Sequence, residues 1–282
     1  MNFSKLNFFK PITNLEYDKI SFYESGFFKG LSIVLFFIII NDIISIPIFK
    51  LKELNGGIYS LIKIILSIVV TSISILIMNK IFSYPTNTQN SKFKFSKRDF
   101  MFIALLILGY RIFFDGNLSY LLDLIPDPEI SKYFNELFNL DPIYMTFVVI
   151  IIGPLQEEFI NRGIILNGLL KKYSNKAALI ISALIFAIMH LNFQQGINAF
   201  ILGLFFGYIY IKTKSIYLTI FAHFCNNLLV FPLDILDSLP INTVIKCIVF
   251  TLVGGILMFF AFKYMNLKSF NWVNYREQDS VS

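Results

Sequence analysis

The chain has 282 residues, of which 56% are hydrophobic and only 15% are charged, with a formal net charge of +6. Soluble globular domains carry about 25% charged residues, so this composition excludes an ordinary soluble protein. Several apolar runs of roughly 18 residues or more are long enough to cross a bilayer as helices. They lack the alternation of transmembrane β-strands, and they predict an all-α, polytopic membrane protein.

The apolar runs predict eight spans. In chain order, they cover about residues 30–49, 57–79, 99–114, 143–170, 177–191, 196–211, 215–233 and 242–264. Residues 1–29 show no short cleavable signal pattern and are expected to form an N-terminal cytoplasmic segment. The remainder divides into N-terminal membrane helices over 30–142, a central group of helices over 143–233, and a last span with a cytoplasmic tail over 234–282.

The basic residues are concentrated on one side of this arrangement. They fall in the N-terminal segment, the loop from Lys80 to Arg98, the segments 171–176 and 212–214, and the tail from Lys263 onward. The other side keeps only Lys50, Lys52 and Lys132. Because positively charged loops stay in the cytoplasm, both termini are predicted to be cytoplasmic. The richness in Ile, Asn, Lys and Phe is typical of AT-rich bacterial genomes, which favours a bacterial plasma membrane.

The two longest loops differ in charge. The outer loop 115–142 is acidic and contains LIPDPEISKYFNELFNLDP, in which a Pro-Asp-Pro turn precedes apolar residues at helical spacing. That spacing indicates a short interfacial helix, with an ordinary connecting loop as the alternative. Asp115 is expected to pair with Arg111, four residues before it. The loop SYPTNTQNSKFKFSKRD is basic and is expected to lie against anionic lipid head groups.

Few ionisable residues lie inside the predicted spans. Such residues are costly to place in a bilayer and therefore usually mark function. They include Glu157, Glu158 and Arg162 in span four, His190 at the end of span five, His223 in span seven, and Lys63, Arg111 and Lys246 elsewhere. Lys63 and Lys246 are interpreted as side chains that extend to the membrane surface. At about 1.5 Å per residue, the glutamates and both histidines lie near mid-membrane.

Spacing along the helices indicates how these groups are arranged. Glu158 and Arg162 are four residues apart and are expected to form an ion pair, which lowers the cost of burying both charges. Glu157 lies about 100° farther round the helix and is expected to point elsewhere, into a cavity. His223 and Asn227 are also four residues apart and share one helix face.

Three further expectations concern packing. Phe186 lies one turn before His190 and is expected to pack against its ring. Pro154 is expected to kink span four and to free backbone carbonyls. Gly203 and Gly207 form a GxxxG pattern that permits close contact between helices.

The polar residues in the spans suit hydrolysis of an amide. A carboxylate and an imidazole that face one cavity can activate water as a general base. A second histidine with an asparagine can donate hydrogen bonds to an oxyanion. The sequence has no Gly-x-Ser-x-Gly and no His-Glu-x-x-His pattern. A divalent metal such as zinc stays open as a cofactor, with Glu157, His190 and His223 as candidate ligands.

Three short motifs, in this order, resemble those of the CPBP intramembrane proteases, also called the Abi or type II CAAX prenyl endopeptidase family. EEFINR, from Glu157 to Arg162, is similar to EExxxR. FAIMH, ending at His190, is similar to FxxxH, and HFCNN, from His223 to Asn227, is similar to HxxxN. The resemblance covers about residues 143–230. It implies an eight-helix membrane protease with its active site inside the bilayer, and it makes 143–233 the catalytic helices.

The resemblance also implies a role for each motif residue. Glu157 and His190 would activate the water. His223 and Asn227 would stabilise the oxyanion. Glu158 and Arg162 would orient the site and balance its charge.

The resemblance leaves the cofactor open. The family carries a metalloprotease label, although its described mechanism can run on glutamate and histidine without a metal. The expected partners are a peptide or membrane-protein substrate and the lipid bilayer, with no nucleic acid. Bacterial relatives are linked to bacteriocin self-immunity, peptide-pheromone processing and regulatory proteolysis.

Two other classes of protein are compatible with buried ionisable residues. A proton-coupled transporter would use them as a relay, but the sequence shows no inverted repeat and no matched pair of broken helices. A non-catalytic immunity or scaffold protein would only bind a peptide or partner. The complete set of motif residues favours the protease.

Overall fold

The protein, described by a computed structural model, is built mainly from helices. The structure describes residues 10–51, 54, 56–86, 96–122, 124–126, 129–237 and 242–279, and only the backbone of 130, 231–237 and 268–279. In chain order the elements are α1 Lys10–Glu16, β1 Ile20–Phe22, α2 Phe27–Phe49, α3 Gly57–Phe82, β2 Ser83–Pro85, α4 Lys97–Leu122, α5 Glu129–Leu140, α6 Pro142–Leu170, α7 Asn175–Met189, α8 Phe193–Thr213, α9 Ile216–Asp237 and α10 Thr243–Asp279. Most of the predicted basic loop, residues 87–95, lies outside the described residues.

A helix forms at each of the eight predicted spans. Within the described ranges, six helices are long and apolar enough to cross a membrane, namely α2, α3, α4, α6, α8 and α10. The all-α, polytopic class is confirmed, and the protein is a multi-pass membrane protein. Of the other two predicted spans, α7 has 15 residues, whereas α9 has 22, of which Ile216–Val230 are described with their side chains. Fifteen residues extend about 22 Å, less than the roughly 30 Å of a bilayer core.

One compact unit of the chain comprises Met1–Phe93 and Asp127–Gly207. In this unit α6 packs against α3 and α7, and α2 packs against α3 and α7. A Cβ atom added to Gly203 would lie 3.0 Å from the Cα of Ala183, and one added to Gly207 would lie 2.5 Å from the side chain of Leu179. The close helix contact predicted for the two glycines is therefore confirmed, between α8 and α7.

A small antiparallel sheet, which the sequence did not predict, joins the segment before α2 to the end of α3. Its two strands pair Ile20 with Pro85. The ammonium group of Lys171 donates to Ser21 Oγ at 2.9 Å, to the hydroxyl of Tyr84 at 2.8 Å and to a backbone carbonyl of β1. The end of α6 is therefore tied to both strands.

A buried ion pair joins α3 to the residue that precedes α6. Lys63 is 2% exposed and Asp141 is 4% exposed, and the two form a salt bridge. The interpretation of Lys63 as a side chain that reaches the membrane surface is therefore wrong. Asp141 also accepts hydrogen bonds from Ser60 Oγ at 2.8 Å and from the amide of Tyr144 at 3.2 Å, so it caps the first turn of α6.

We expect Asp141 to make the stability of the protein depend on acid pH. Burial alone would raise the pKa of Asp141, but the hydrogen bonds from Lys63, Ser60 and the Tyr144 amide hold the pKa below its ordinary value of 3.8. A carboxyl group with a lowered folded-state pKa stabilises the fold above its ordinary pKa, and this contribution is lost as the pH falls through the lowered value. The thermal unfolding midpoint should therefore fall less between pH 5 and 3, roughly, in Asp141→Asn than in the parent. Parallel pH curves would contradict the ion pair.

The second compact unit comprises Lys94–Pro126 and Tyr208–Ser282. Here α4 packs against α9 and α10. A Cβ atom added to Gly109 would lie 2.8 Å from the carbonyl oxygen of Gly254, so the backbones of α4 and α10 approach closely. Lys246 is buried in α10, which contradicts its interpretation as a surface-reaching side chain.

The predicted loop 115–142 is more helical than expected. The predicted ion pair between Arg111 and Asp115 is confirmed, at 2.8 Å. A π-helical stretch, Phe114–Leu118, carries α4 eight residues past its predicted end at 114, to Leu122. Of the two alternatives for the rest of the loop, the short helix is the one that forms, as α5.

Candidate active site

The helix that carries both glutamates, α6, is not a regular α-helix. Its π-helical stretches, Val148–Ile152 and Phe159–Leu166, flank an α-helical turn, Gly153–Glu158. Pro154 lies in the first turn of this α-helical stretch. Proline lacks an amide donor and its ring collides with the preceding turn, which a wider π turn accommodates. The helix type changes next to Pro154, and the kink predicted for span four stays a prediction.

Two asparagines supply hydrogen bonds to the second π-helical stretch. The amide of Asn161 donates to the carbonyl oxygen of Glu157 at 2.9 Å. The amide of Asn167 donates to the carbonyl oxygen of Gly163 at 2.8 Å. These bonds give partners to backbone carbonyls where the helix type changes. The sequence analysis missed both residues, although an asparagine inside an apolar span was a usable signal.

The predicted ion pair between Glu158 and Arg162 is confirmed and is completely buried. Arg162 Nη1 lies 3.0 Å from Glu158 Oε1, and neither side chain is exposed. Arg162 Nη2 donates to the carbonyl oxygen of Gly203 at 3.1 Å. Its guanidinium carbon lies 4.6 Å from the ring centroid of Phe186 and 5.2 Å from that of Phe206. The cation is therefore held by a carboxylate, a carbonyl and two aromatic faces.

Glu157 lies in a different environment from its neighbour. Glu158 is fully buried, whereas Glu157 is partly exposed. Glu157 Oε1 lies 3.4 Å from the place that a Cβ atom on Gly153 would take, so the side chain folds back over the preceding turn. This agrees with the prediction that the two carboxylates point in different directions. Oε2 of Glu157 is nevertheless buried, so the partial exposure belongs to the rest of the residue. A carboxylate fixed to an arginine, as in Glu158, accepts a proton from water poorly.

His190 ends α7 and has a defined ring orientation. Its ring packs edge-on against Phe186, with the centroids 4.9 Å apart, which confirms the predicted contact. His190 Nδ1 lies 2.9 Å from the carbonyl oxygen of Phe186. Because a carbonyl can only accept a hydrogen bond, Nδ1 carries the proton in the neutral ring, and the lone pair is on Nε2. Nε2 is therefore the nitrogen that can act as a base.

The corner between α7 and α8 keeps His190 at a helix end. Leu191 has a positive φ of 52°, which turns the chain out of α7. Asn192 then accepts a hydrogen bond from the amide of Gln194 at 3.0 Å and so caps α8. The side-chain Nδ2 of Asn192 donates to Ser131 Oγ at 2.8 Å, which connects the corner to α5.

The HxxxN residues belong to the second unit, on α9. His223 and Asn226 are buried, and Asn227 is partly buried. Asn226 Nδ2 donates to Asn227 Oδ1 at 2.9 Å, a bond that the sequence analysis did not foresee. With its oxygen occupied in this way, the carboxamide of Asn227 is oriented by its neighbour. Glu157, Glu158, Arg162 and His190 all belong to the first unit.

A metal site is not formed by the donors that the structure describes. Within the described parts of both units, no three His, Cys, Asp or Glu side chains gather closely enough to hold a metal ion. Glu158 is moreover committed to Arg162. A metal cofactor stays open, and the roles proposed below are those of the residues of the chain.

The fold and these residues define a multi-pass membrane protein with a buried ion pair, a partly exposed glutamate and an oriented histidine. Residues 139–229 match the family model described as Type II CAAX prenyl endopeptidase Rce1-like. Over 83 residues, the chain is 37% identical to a Bacillus subtilis (strain 168) protein named "Putative membrane peptidase YdiL". That alignment covers 29% of this chain and 34% of the relative, so the chain matches about a third of the relative's length. No solved structure matches the chain.

The matched segment contains all three motifs. Each of the six predicted site residues lies between 139 and 229. The resemblance that the motifs indicated is therefore confirmed for this segment.

Proposed function

We propose that the protein is an intramembrane endopeptidase that hydrolyses a peptide bond of a membrane-associated peptide or protein. The observation that carries this proposal is that the segment matching the endopeptidase family model contains the complete set of candidate catalytic groups. Two features support it: the orientation of His190, which presents Nε2 as the basic nitrogen, and the buried ion pair of Glu158 with Arg162 in the helical turn beside Glu157.

In the proposed reaction, Glu157 takes one proton from a water molecule while Nε2 of His190 accepts a hydrogen bond from its other O–H group. The water oxygen bonds to the carbonyl carbon of the substrate. The resulting oxyanion accepts hydrogen bonds from His223 and Asn227. Glu157 then passes its proton to the amide nitrogen, the C–N bond breaks, and a carboxylic acid and an amine are released.

The remaining motif residues have supporting roles in this proposal. The bond from Asn226 to Asn227 Oδ1 favours Asn227 as a donor, since its oxygen is already used as an acceptor. Glu158 and Arg162 fix the helical turn that carries Glu157, and they add no net charge to the buried region.

The proposal is tested by comparing protein termini and peptides from membranes of cells that produce the parent or Glu157→Gln at equal levels. The substitution keeps the size of the side chain and removes the carboxylate. Uncut precursors should accumulate in the Glu157→Gln membranes and be absent with the parent. The control is Glu136→Gln, the same change at an exposed residue of α5, which should give the parent's profile.

The same comparison decides between the classes of function. Precursors found only in Glu157→Gln would name the substrate and would separate peptide processing from bacteriocin self-immunity. If the two profiles are identical and the variant still supports the cell's phenotype, the peptidase proposal is wrong and a binding or immunity role takes its place.

A further inference from the structure

A cavity of about 250 Å³ lies in the first unit, lined by α2, α3, α5 and α6 and open on part of its surface. Its apolar wall includes Val70 and Ile152. Its polar wall consists of Asn41, Ser45, Lys63, Ser67, Thr71, Tyr133, Asp141, Tyr144 and Gln156. Of the described residues that line it, none is a motif residue. This polar cavity is therefore separate from the groups to which the proposed reaction assigns a role.

The polar side chains form a strip along the length of the cavity. At one end is the ion pair of Lys63 with Asp141. One turn along α6, the hydroxyl of Tyr144 accepts a hydrogen bond from Ser67 at 3.3 Å. At the other end is Gln156, fifteen residues after Asp141, which corresponds to about 22 Å of helix. The strip therefore runs from the beginning of α6 to a depth well inside a bilayer.

The inner end of the strip has unused hydrogen-bonding groups. Gln156 is only 9% exposed, and its Nε2 donates to Asn41 Oδ1 and to Thr71 Oγ1, both at 3.0 Å. Among the described residues, none donates to Gln156 Oε1 and none accepts from Asn41 Nδ2. Both residues line the cavity. Leaving such groups without partners in an apolar environment would cost about 1–3 kcal/mol each.

Water satisfies these groups, whereas a lipid chain does not. Most of the cavity lining is apolar, so water would be held along the polar strip, and at about 30 Å³ for each water molecule the whole cavity has room for about eight. We propose that the cavity is a water-filled path that leads from the Asp141 end of α6 to Gln156, the residue directly before Glu157. The role of this path in supplying water for hydrolysis rests on the proposed function. The presence of water in the cavity does not.

Cysteine labelling tests whether water fills the cavity. Both native cysteines are first removed, as Cys225→Ser and Cys247→Ser. A single cysteine then replaces Ser67 or Thr71, which line the cavity. In the comparison variants it replaces Val69 or Ile73. The last two are exposed on the outer surface of the same helix, α3, at nearly the same depth. A charged methanethiosulfonate reagent is added to open membrane fragments. The reagent reacts with thiolates, which form where water reaches the cysteine. The cavity cysteines should therefore react at least about tenfold faster than the cysteines at positions 69 and 73, the surface pair.

A blocking substitution tests whether the path is continuous. Ser67→Leu, combined with Thr71→Cys, places a bulky apolar group between the outer end and Thr71 and should slow labelling to the rate of the surface pair. Ser67→Ala with Thr71→Cys leaves the space open and should label as fast as Thr71→Cys alone. Variants are compared only if they elute like the parent in size-exclusion chromatography.

Three other labelling results would each contradict the proposal. Equal, slow labelling at all four positions would show a dry or lipid-filled cavity. Labelling at Ser67→Cys but not at Thr71→Cys would show that water stops before Gln156. Fast labelling in spite of Ser67→Leu would show that water arrives by another route. The assay needs no proteolysis, so its failure is distinguishable from failure of the peptidase proposal.

Discussion

Arg162→Ala is expected to destabilise the protein by about 3–5 kcal/mol, because it leaves Glu158 buried without a cation. The arginine and the glutamate have no exposed surface, so water cannot solvate the remaining carboxylate. The substitution also removes the hydrogen bond to the carbonyl of Gly203 and the contact with two aromatic rings. The effect is measured as the shift of the unfolding transition of purified protein in detergent, together with the yield.

Two further variants identify the cause of that loss. Lys132→Ala breaks an exposed ion pair with Glu129, whose side chains are 58% and 89% exposed, and it should change stability little. Glu158→Leu combined with Arg162→Met replaces both charges with apolar groups and should recover much of the stability that Arg162→Ala loses. If Arg162→Ala unfolds like the parent, the buried pair does not contribute to the fold.

His190→Ala is expected to lower turnover by about 10²–10⁴-fold while the protein remains folded and inserted. The ring is fixed through Nδ1 by the carbonyl of Phe186, so Nε2 is the lone pair that the reaction would lose. His190 lies at a helix end and is partly exposed, so its removal leaves a smaller defect in packing than a core substitution does. Turnover is measured on the substrate that the comparison of protein termini between the parent and Glu157→Gln identifies.

A neighbouring position provides the control. Ile188, two residues before His190 on the same helix, is exposed, so Ile188→Ala should keep the parent's turnover and stability. A His190→Ala protein with the parent's turnover would contradict the role of His190 as the hydrogen-bond acceptor for the attacking water. Its function would then be limited to the end of α7.

Contacts within one helix could be predicted from the sequence. The pairs Glu158–Arg162 and Arg111–Asp115, and the contact of Phe186 with His190, each join residues four apart. The fixed geometry of a helix places residues four apart on the same face, so their spacing in the sequence is enough to predict the contact. The spans were predictable for a related reason, since the length of an apolar run reports directly on a membrane helix.

Contacts between distant parts of the chain could not be predicted in this way. The interpretation of Lys63 as a surface-reaching cation was wrong because its partner, Asp141, is 78 residues away and lies at the start of α6. The strands β1 and β2 are three residues long, too short for an alternating pattern to show. The π-helical stretches of α6 also have no sequence period of their own, although Pro154 and Asn161 lie next to or within them.

The histidine of α7 is oriented by the main chain and not by another side chain. Any residue at position 186 that maintains the helix offers the same carbonyl, so substitutions there leave the protonation pattern of the imidazole intact. Natural selection on Phe186 would then act mainly through its face against Arg162, which is 4.6 Å away. The basic nitrogen and the stability of the buried cation can therefore evolve separately, although one aromatic residue touches both.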